Sequence, residues 1–152
     1  MRFLLILVIL AAGCAAPKVI KIQVTNSDSI ERVQLLREFS AADYKKAQKA
    51  LDLLSHVAPE LSFTNKVKLS WIRSDKFAGI TIIEGNKEIL IDQEFEVKRG
   101  TKIEYFNLAR VLGHEMAHFE WDMKEPEVQI KVDRRLFLIF IKDQQRIYSW
   151  NP

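Results

Sequence analysis

Apolar residues recur along this chain with more than one period, and the periods divide it into elements. Phe3 to Ala12 is an unbroken, uncharged apolar run. Lys18 to Val24 alternates imperfectly, in the manner of an edge strand. Ile30, Val33, Leu36 and Phe39 stand three apart, a weak helical spacing. Ser40-Ala41-Ala42-Asp43 has the form of a capping box with aspartate as its fourth residue. Tyr44, Ala47, Leu51 and Leu54 then mark one face of a helix that ends near Val57, before Pro59.

The second half reads more sharply. Val67, Leu69 and Trp71 alternate with Lys68 and Ser70, which predicts a half-buried strand. Ala78 to Ile83 and Glu88 to Asp92 are short runs rich in isoleucine, and Glu84-Gly85-Asn86-Lys87 joins them as a hairpin turn. Thr101-Lys102-Ile103-Glu104 is a capping box just after Gly100. From it runs a long helix with a broad apolar face: Ile103, Phe106, Leu108, Ala109, Val111, Leu112, Met116, Ala117 and Phe119. A tight turn at Met123 to Glu125 follows. Pro126 opens a second helical stretch through Val128, Val132, Leu136 and Phe140 to about Tyr148. Within it, Leu136 to Ile141 is apolar all round, a buried segment or a partner surface too short to span a bilayer. The fold class expected is α+β, with a small antiparallel or mixed sheet, a long helix, and an antiparallel C-terminal helix.

Composition narrows the class. The 152 residues give room for one domain with a real core, and 48% hydrophobic with 28% charged residues is globular usage. The 23 basic and 20 acidic residues are interspersed and leave a formal charge of +3, so no nucleic-acid partner is expected. A single cysteine, Cys14, excludes an internal disulfide.

The N-terminus reads as a leader. Met1-Arg2 is a minimal positive region, the apolar run follows, and Ala11-Ala12-Gly13-Cys14 closes it. This resembles the lipobox of bacterial lipoproteins. The resemblance implies cleavage before Cys14, lipidation of its sulfur and acylation of its new amino group. Residues 1–13 are then the signal peptide, 14–29 the anchor and tether, and 30–152 the folded domain. The location implied is the cell envelope, at the outer membrane in a Gram-negative source.

The long helix carries His114-Glu115-Met116-Ala117-His118, an H-E-x-x-H sequence. On a helix the two histidines lie one turn apart on one face, where both imidazoles can meet one Zn²⁺ at about 2.0–2.1 Å. Glu115 can take a proton from metal-bound water. Val111-Leu112-Gly113-His114-Glu115-Met116-Ala117-His118 and the preceding hairpin resemble the zincin metallopeptidases, from about Val67 onward. The resemblance implies a zinc peptidase with His114 and His118 as ligands and Glu115 as general base. It also implies that the sheet packs on the motif helix, with an edge strand lining a cleft for extended peptide. His56, in the last turn of its helix, is expected to serve that helix end and not a metal.

A third protein ligand should be a carboxylate, since the chain has only three histidines. The metzincin pattern places a glycine and another histidine soon after the motif. Trp121 and Lys124 hold those places, which disfavours that subclass. Reflecting the sequence about residues 123–125 sets Met116 level with residues 130–134, a window containing Asp133. Glu127 falls beyond the metal, and Glu120, Asp122 and Glu125 stand at or before the turn. Gln129 to Asp133 also resembles the gluzincin pattern E-x-x-A-D, with Gln129 in the ligand's place; there Asp133 orients His114 from behind. Three arrangements stand: Asp133 as direct ligand, Glu127 reaching in, or a weakened site without a protein third ligand. Asp133 is taken first.

The expected function is membrane-anchored, zinc-dependent hydrolysis of peptide or protein substrates. The alternative is a non-catalytic envelope lipoprotein that uses the fold as a binding or scaffold module. Gln129 favours the alternative, and an intact Glu115, which is not a ligand, favours the enzyme.

Overall fold

The computed structural model describes residues 18–23, 30–82, 87–93 and 101–151. The expected signal peptide, Cys14 and most of the expected hairpin turn lie outside them. The fold is mixed α+β around a five-stranded mixed sheet of order β1-β2-β3-β5-β4. Its strands are β1 (Lys18–Gln23), β2 (Ile30–Glu38), β3 (Lys68–Arg73), β4 (Gly79–Ile82) and β5 (Glu88–Asp92). β3 and β5 are parallel, and the other neighbours are antiparallel. β4 and β5 pair as the hairpin reading requires, and β4 takes the outer place.

The weak helix expected over residues 30–39 is strand β2, and this corrects the sequence reading. β2 is hydrogen-bonded on both sides, to β1 and to β3, with a register shift between Leu35 and Arg37. Val33 and Leu35 join the small core on one face of the sheet, while Leu36 joins the main core on the other. A strand that feeds both faces puts apolar residues an odd number apart, and a spacing of three then imitates a helix. β1, by contrast, is an edge strand as the imperfect alternation of Lys18 to Val24 suggests. β3 is buried on both faces from Leu69 to Ile72, not on one.

α1 (Ala41–Val57) opens at Ser40, whose side chain accepts from the Asp43 N–H while Asp43 accepts from the Ser40 N–H. The box expected from Ser40 and Asp43 is therefore complete, and Arg37 adds a guanidinium to the Asp43 carboxylate. α2 (Lys102–Trp121) is capped by Thr101, which accepts from the Glu104 N–H. The buried Glu104 carboxylate pairs with Lys46 of α1. The main core lies between sheet and helices: Leu69, Trp71, Ile89 and Ile91 from the strands meet Leu53, Leu54, Phe106 and Leu112. Gly113 admits Leu54 where the helices meet; a Cβ there would stand 3.2 Å from Leu54 Cδ2.

The C-terminal stretch is not one uniform helix. It comprises α3 (Glu125–Val128), a π turn (Gln129–Asp133), α4 (Arg134–Lys142) and α5 (Gln144–Ser149), with a break at Asp143 (φ −136°). Leu136 and Ile139 of α4 are buried, whereas Phe137 and Ile141 are exposed. The segment expected to be apolar all round therefore divides into a core face and an open face. No helix among the described residues is long and apolar enough to cross a membrane.

The Asp43 carboxyl is held well below the usual carboxylate range, first by the Arg37 side chain and then, against some desolvation, by the Ser40 bonds. A depressed carboxylate contributes stability above its unfolded pKa of about 3.9 and loses it as pH falls from there. Asp43→Ala should cost about 1 kcal/mol in urea unfolding at pH 7, and the gap between variant and parent should shrink below about pH 4. A gap that stays constant down to pH 2 would contradict this role.

Candidate metal centre

The site begins with the way α2 ends. Asp122 takes a left-handed conformation (φ 52°), which aspartate tolerates better than most residues. The Met123 N–H returns to the Ala117 carbonyl at 3.3 Å, a bond that closes the helix end. The reversed chain then presents the Met123 carbonyl to His118 Nδ1 at 2.6 Å. A carbonyl only accepts, so the proton of His118 sits on Nδ1 and the lone pair on Nε2.

His114 is fixed in the same sense from the other side. Both oxygens of Asp133 lie 3.0 Å from its Nδ1. The two Nε2 atoms face each other at 3.2 Å. Glu125, the first residue of α3, brings Oε1 to 3.4 Å from His114 Nε2 and 3.6 Å from His118 Nε2. Ligand atoms of His114, His118 and Glu125 all lie within 4.8 Å of one another, and this group could hold a metal ion. The histidines are largely covered, while Glu125 is 60% exposed at the rim.

The structure thus sorts the carboxylates differently from the sequence. Asp133 lies level with the motif, as the reflection about the turn places it, but against the far ring nitrogen of His114 and outside the group of three. Glu127 pairs with Lys131 at 2.7 Å. Glu120 accepts from the backbone N–H groups of Thr64 and Asn65 and from the Thr64 hydroxyl. Gln129 donates Nε2 to Glu125 Oε2 at 3.2 Å. His56 stands by Ser149 at 3.1 Å, far along the chain from the motif. Glu125 is the residue that sequence reasoning passed over. Asp122 and Glu125 each stand one residue beyond Trp121 and Lys124, the positions at which the metzincin pattern would set a glycine and a histidine.

Below Asp133 the helix widens. The Arg134 N–H bonds to the Gln129 carbonyl, an i→i+5 link, and such single π turns recur at functional sites. A wider turn makes residue 133 lag instead of leading around the axis. Gln129 and Asp133 thereby both reach the α2 side of the stretch.

Glu115 is held from the sheet. It is 6% exposed, and its Oε2 accepts from the Thr81 hydroxyl at 2.6 Å. Gly79, two residues earlier on β4, passes so close that a Cβ would stand 2.7 Å from Glu115 Oε1 and 2.8 Å from Val111 Cγ1. Burial pushes the Glu115 carboxyl up, against the pull of Thr81 and the two histidines. Burial opposes the charged form of His114, but the Asp133 bond and the charges of Glu115, Asp133 and Glu125 outweigh it and raise the imidazole to about 9. One proton among the three facing atoms, or one cation in its place, satisfies the same geometry.

No family model matches this chain, and no curated protein or solved structure matches it significantly.

Gly79→Ala should force β4 away from α2 and cost about 1–3 kcal/mol in urea unfolding. Thr81→Val keeps the shape but removes the donor to a buried carboxylate, and should also cost about 1–3 kcal/mol. Unchanged midpoints in both variants would show that β4 does not clamp Glu115.

Proposed function

We propose that this chain is a zinc-dependent peptidase in which His114, His118 and Glu125 hold the metal and Glu115 is the general base. One observation carries the reading: each histidine has its Nδ1 engaged by an acceptor, so both Nε2 lone pairs converge with one carboxylate oxygen. Two imidazoles and a carboxylate suit Zn²⁺ and are the donor set of an open catalytic site. An all-oxygen site would suit Mg²⁺ or Ca²⁺ instead. When bound, zinc polarises a carbonyl and makes water a usable nucleophile near neutral pH.

The chain's own residues do the rest. Asp133 and the Met123 carbonyl fix the tautomer and tilt of the two rings. Thr81 occupies Oε2 of Glu115, which leaves Oε1 to take a proton and later return it to the leaving amine. In this reading the sheet packs on α2, and the C-terminal stretch runs antiparallel beside it, which sets His114 opposite Asp133. β4 is the edge of the sheet and carries Thr81 and Gly79, so an extended peptide paired with that edge would lie beside the base. The apolar leader and Cys14 give the protein its proposed lipid anchor in the cell envelope.

A non-catalytic binding module is the second reading. The observation in its favour is the outward row Ile130, Phe137 and Ile141 on the C-terminal stretch.

The two readings part in one set of assays. Protein purified without chelator and supplied with zinc should hold about one ion per chain. Glu115→Gln should keep fold and zinc but lose about 10²–10⁴-fold in peptide hydrolysis. Asp133→Ala should weaken zinc by about 10–100-fold, and Glu125→Ala by more. A wild type that takes up no zinc, or a Glu115→Gln enzyme of normal activity, removes the peptidase reading. Zinc uptake without cleavage across a broad peptide library favours the binding module. For the anchor, mass spectrometry should find a lipidated Cys14 in the mature protein, and Cys14→Ser should leave the membrane fraction.

A further inference from the structure

Gln129 stands where the gluzincin resemblance expects a metal ligand, and that position alone suggests a decayed site. The structure gives it a different use. Its amide lies 3.2 Å from Glu125 Oε2. A carboxylate only accepts, so the NH₂ end of the amide must face it, whichever way the side chain is drawn. Glu125 and Gln129 are four residues apart in one helical stretch, where side chains meet across a single turn. Pro126, in the first turn of α3, fixes the backbone between them.

Glu125 needs such support. It is 60% exposed and follows directly on a reversal of the chain, so its side chain would otherwise sample many rotamers. Its two oxygens are also differently placed. Oε1 faces both histidines, and Oε2 is taken by Gln129. We infer that Gln129 is a positioning residue that holds Glu125 for the metal through one oxygen only. This rests on the metal-site reading above and extends it. By occupying Oε2, the amide opposes two-oxygen binding by Glu125 and keeps a coordination position open for water or substrate, as a catalytic site requires. On this reading the ligand stands one helical turn before Gln129, and Gln129 is its support.

The test uses the purified full-length chain, with Zn²⁺ affinity read by chelator competition and Co²⁺ as a spectroscopic probe. Gln129→Met keeps length and removes the donor; Glu125→Ala removes the ligand. Gln129 is exposed, and circular dichroism checks that the variants fold. Gln129→Met should weaken Zn²⁺ by about 10–100-fold. It should also lower the visible d–d absorption of bound Co²⁺, because a second carboxylate oxygen raises the coordination number. Glu125→Ala should weaken both ions further. If Gln129→Met matches wild type in affinity and spectrum while Glu125→Ala is weakened, the positioning role falls and the metal site stands. If Gln129→Met weakens binding and Glu125→Ala does not, Gln129 acts in its own right and the inference is overturned. If wild type binds neither ion, both readings fall together.

Discussion

The bond from His118 Nδ1 to the Met123 carbonyl is the constraint on which the site's geometry depends. It exists because Asp122 adopts a left-handed conformation at the end of α2 and turns the chain back toward the helix it has just left. The same reversal places Glu125 three residues later beside the two Nε2 atoms, and lays the following helical stretch where Asp133 meets His114. A single backbone torsion thus selects a tautomer, delivers a carboxylate and sets the direction of the chain that follows it. An aspartate is a fair choice there, since only glycine and the short polar residues enter that region routinely.

The two kinds of chemistry come from two layers. The nitrogen and oxygen atoms that face one another belong to the helices, whereas the carboxylate proposed as base is governed by the sheet. Glu115 leaves the same helix as its histidine neighbours, yet its partners are Thr81 and the bare backbone of Gly79 on β4. Burial there raises the proton affinity of Glu115, whereas burial works against a proton on His114, which the neighbouring carboxylates draw in. These opposed demands are met within adjacent residues because successive side chains on a helix point about 100° apart and so reach different surroundings.

Much of this was legible in the sequence where the signal was local. The serine–aspartate cap of α1, the isoleucine-rich hairpin and the histidine pair each depend on a few neighbouring residues, and each element formed where its pattern lay. β2 reads as a helix because its apolar residues serve both faces of a sheet, and one of its two neighbours, β3, lies some thirty residues further along the chain. Reflecting the hairpin puts Asp133 at the right height but says nothing of which ring nitrogen it meets; the gluzincin-like alignment, which sets Asp133 behind His114, is the arrangement seen. Glu125 was passed over because a left-handed aspartate carries no stronger mark than any other polar residue at a helix end. The π turn left no trace in the pattern at all, because its one wider turn is set by what the stretch packs against.

Among the described residues β4 has a strand neighbour on one side only, and it is four residues long. A short edge strand is the kind of element that can open locally without global unfolding. Here the opening is not idle, because Thr81 and Gly79 leave together with the strand. The orientation of Glu115 is therefore only as lasting as the hold of one short strand on β5. Any binder that pairs with the open side of β4 would lengthen that hold, and the residence time of the side chain in its buried pose becomes a property of the strand's lifetime on the sheet.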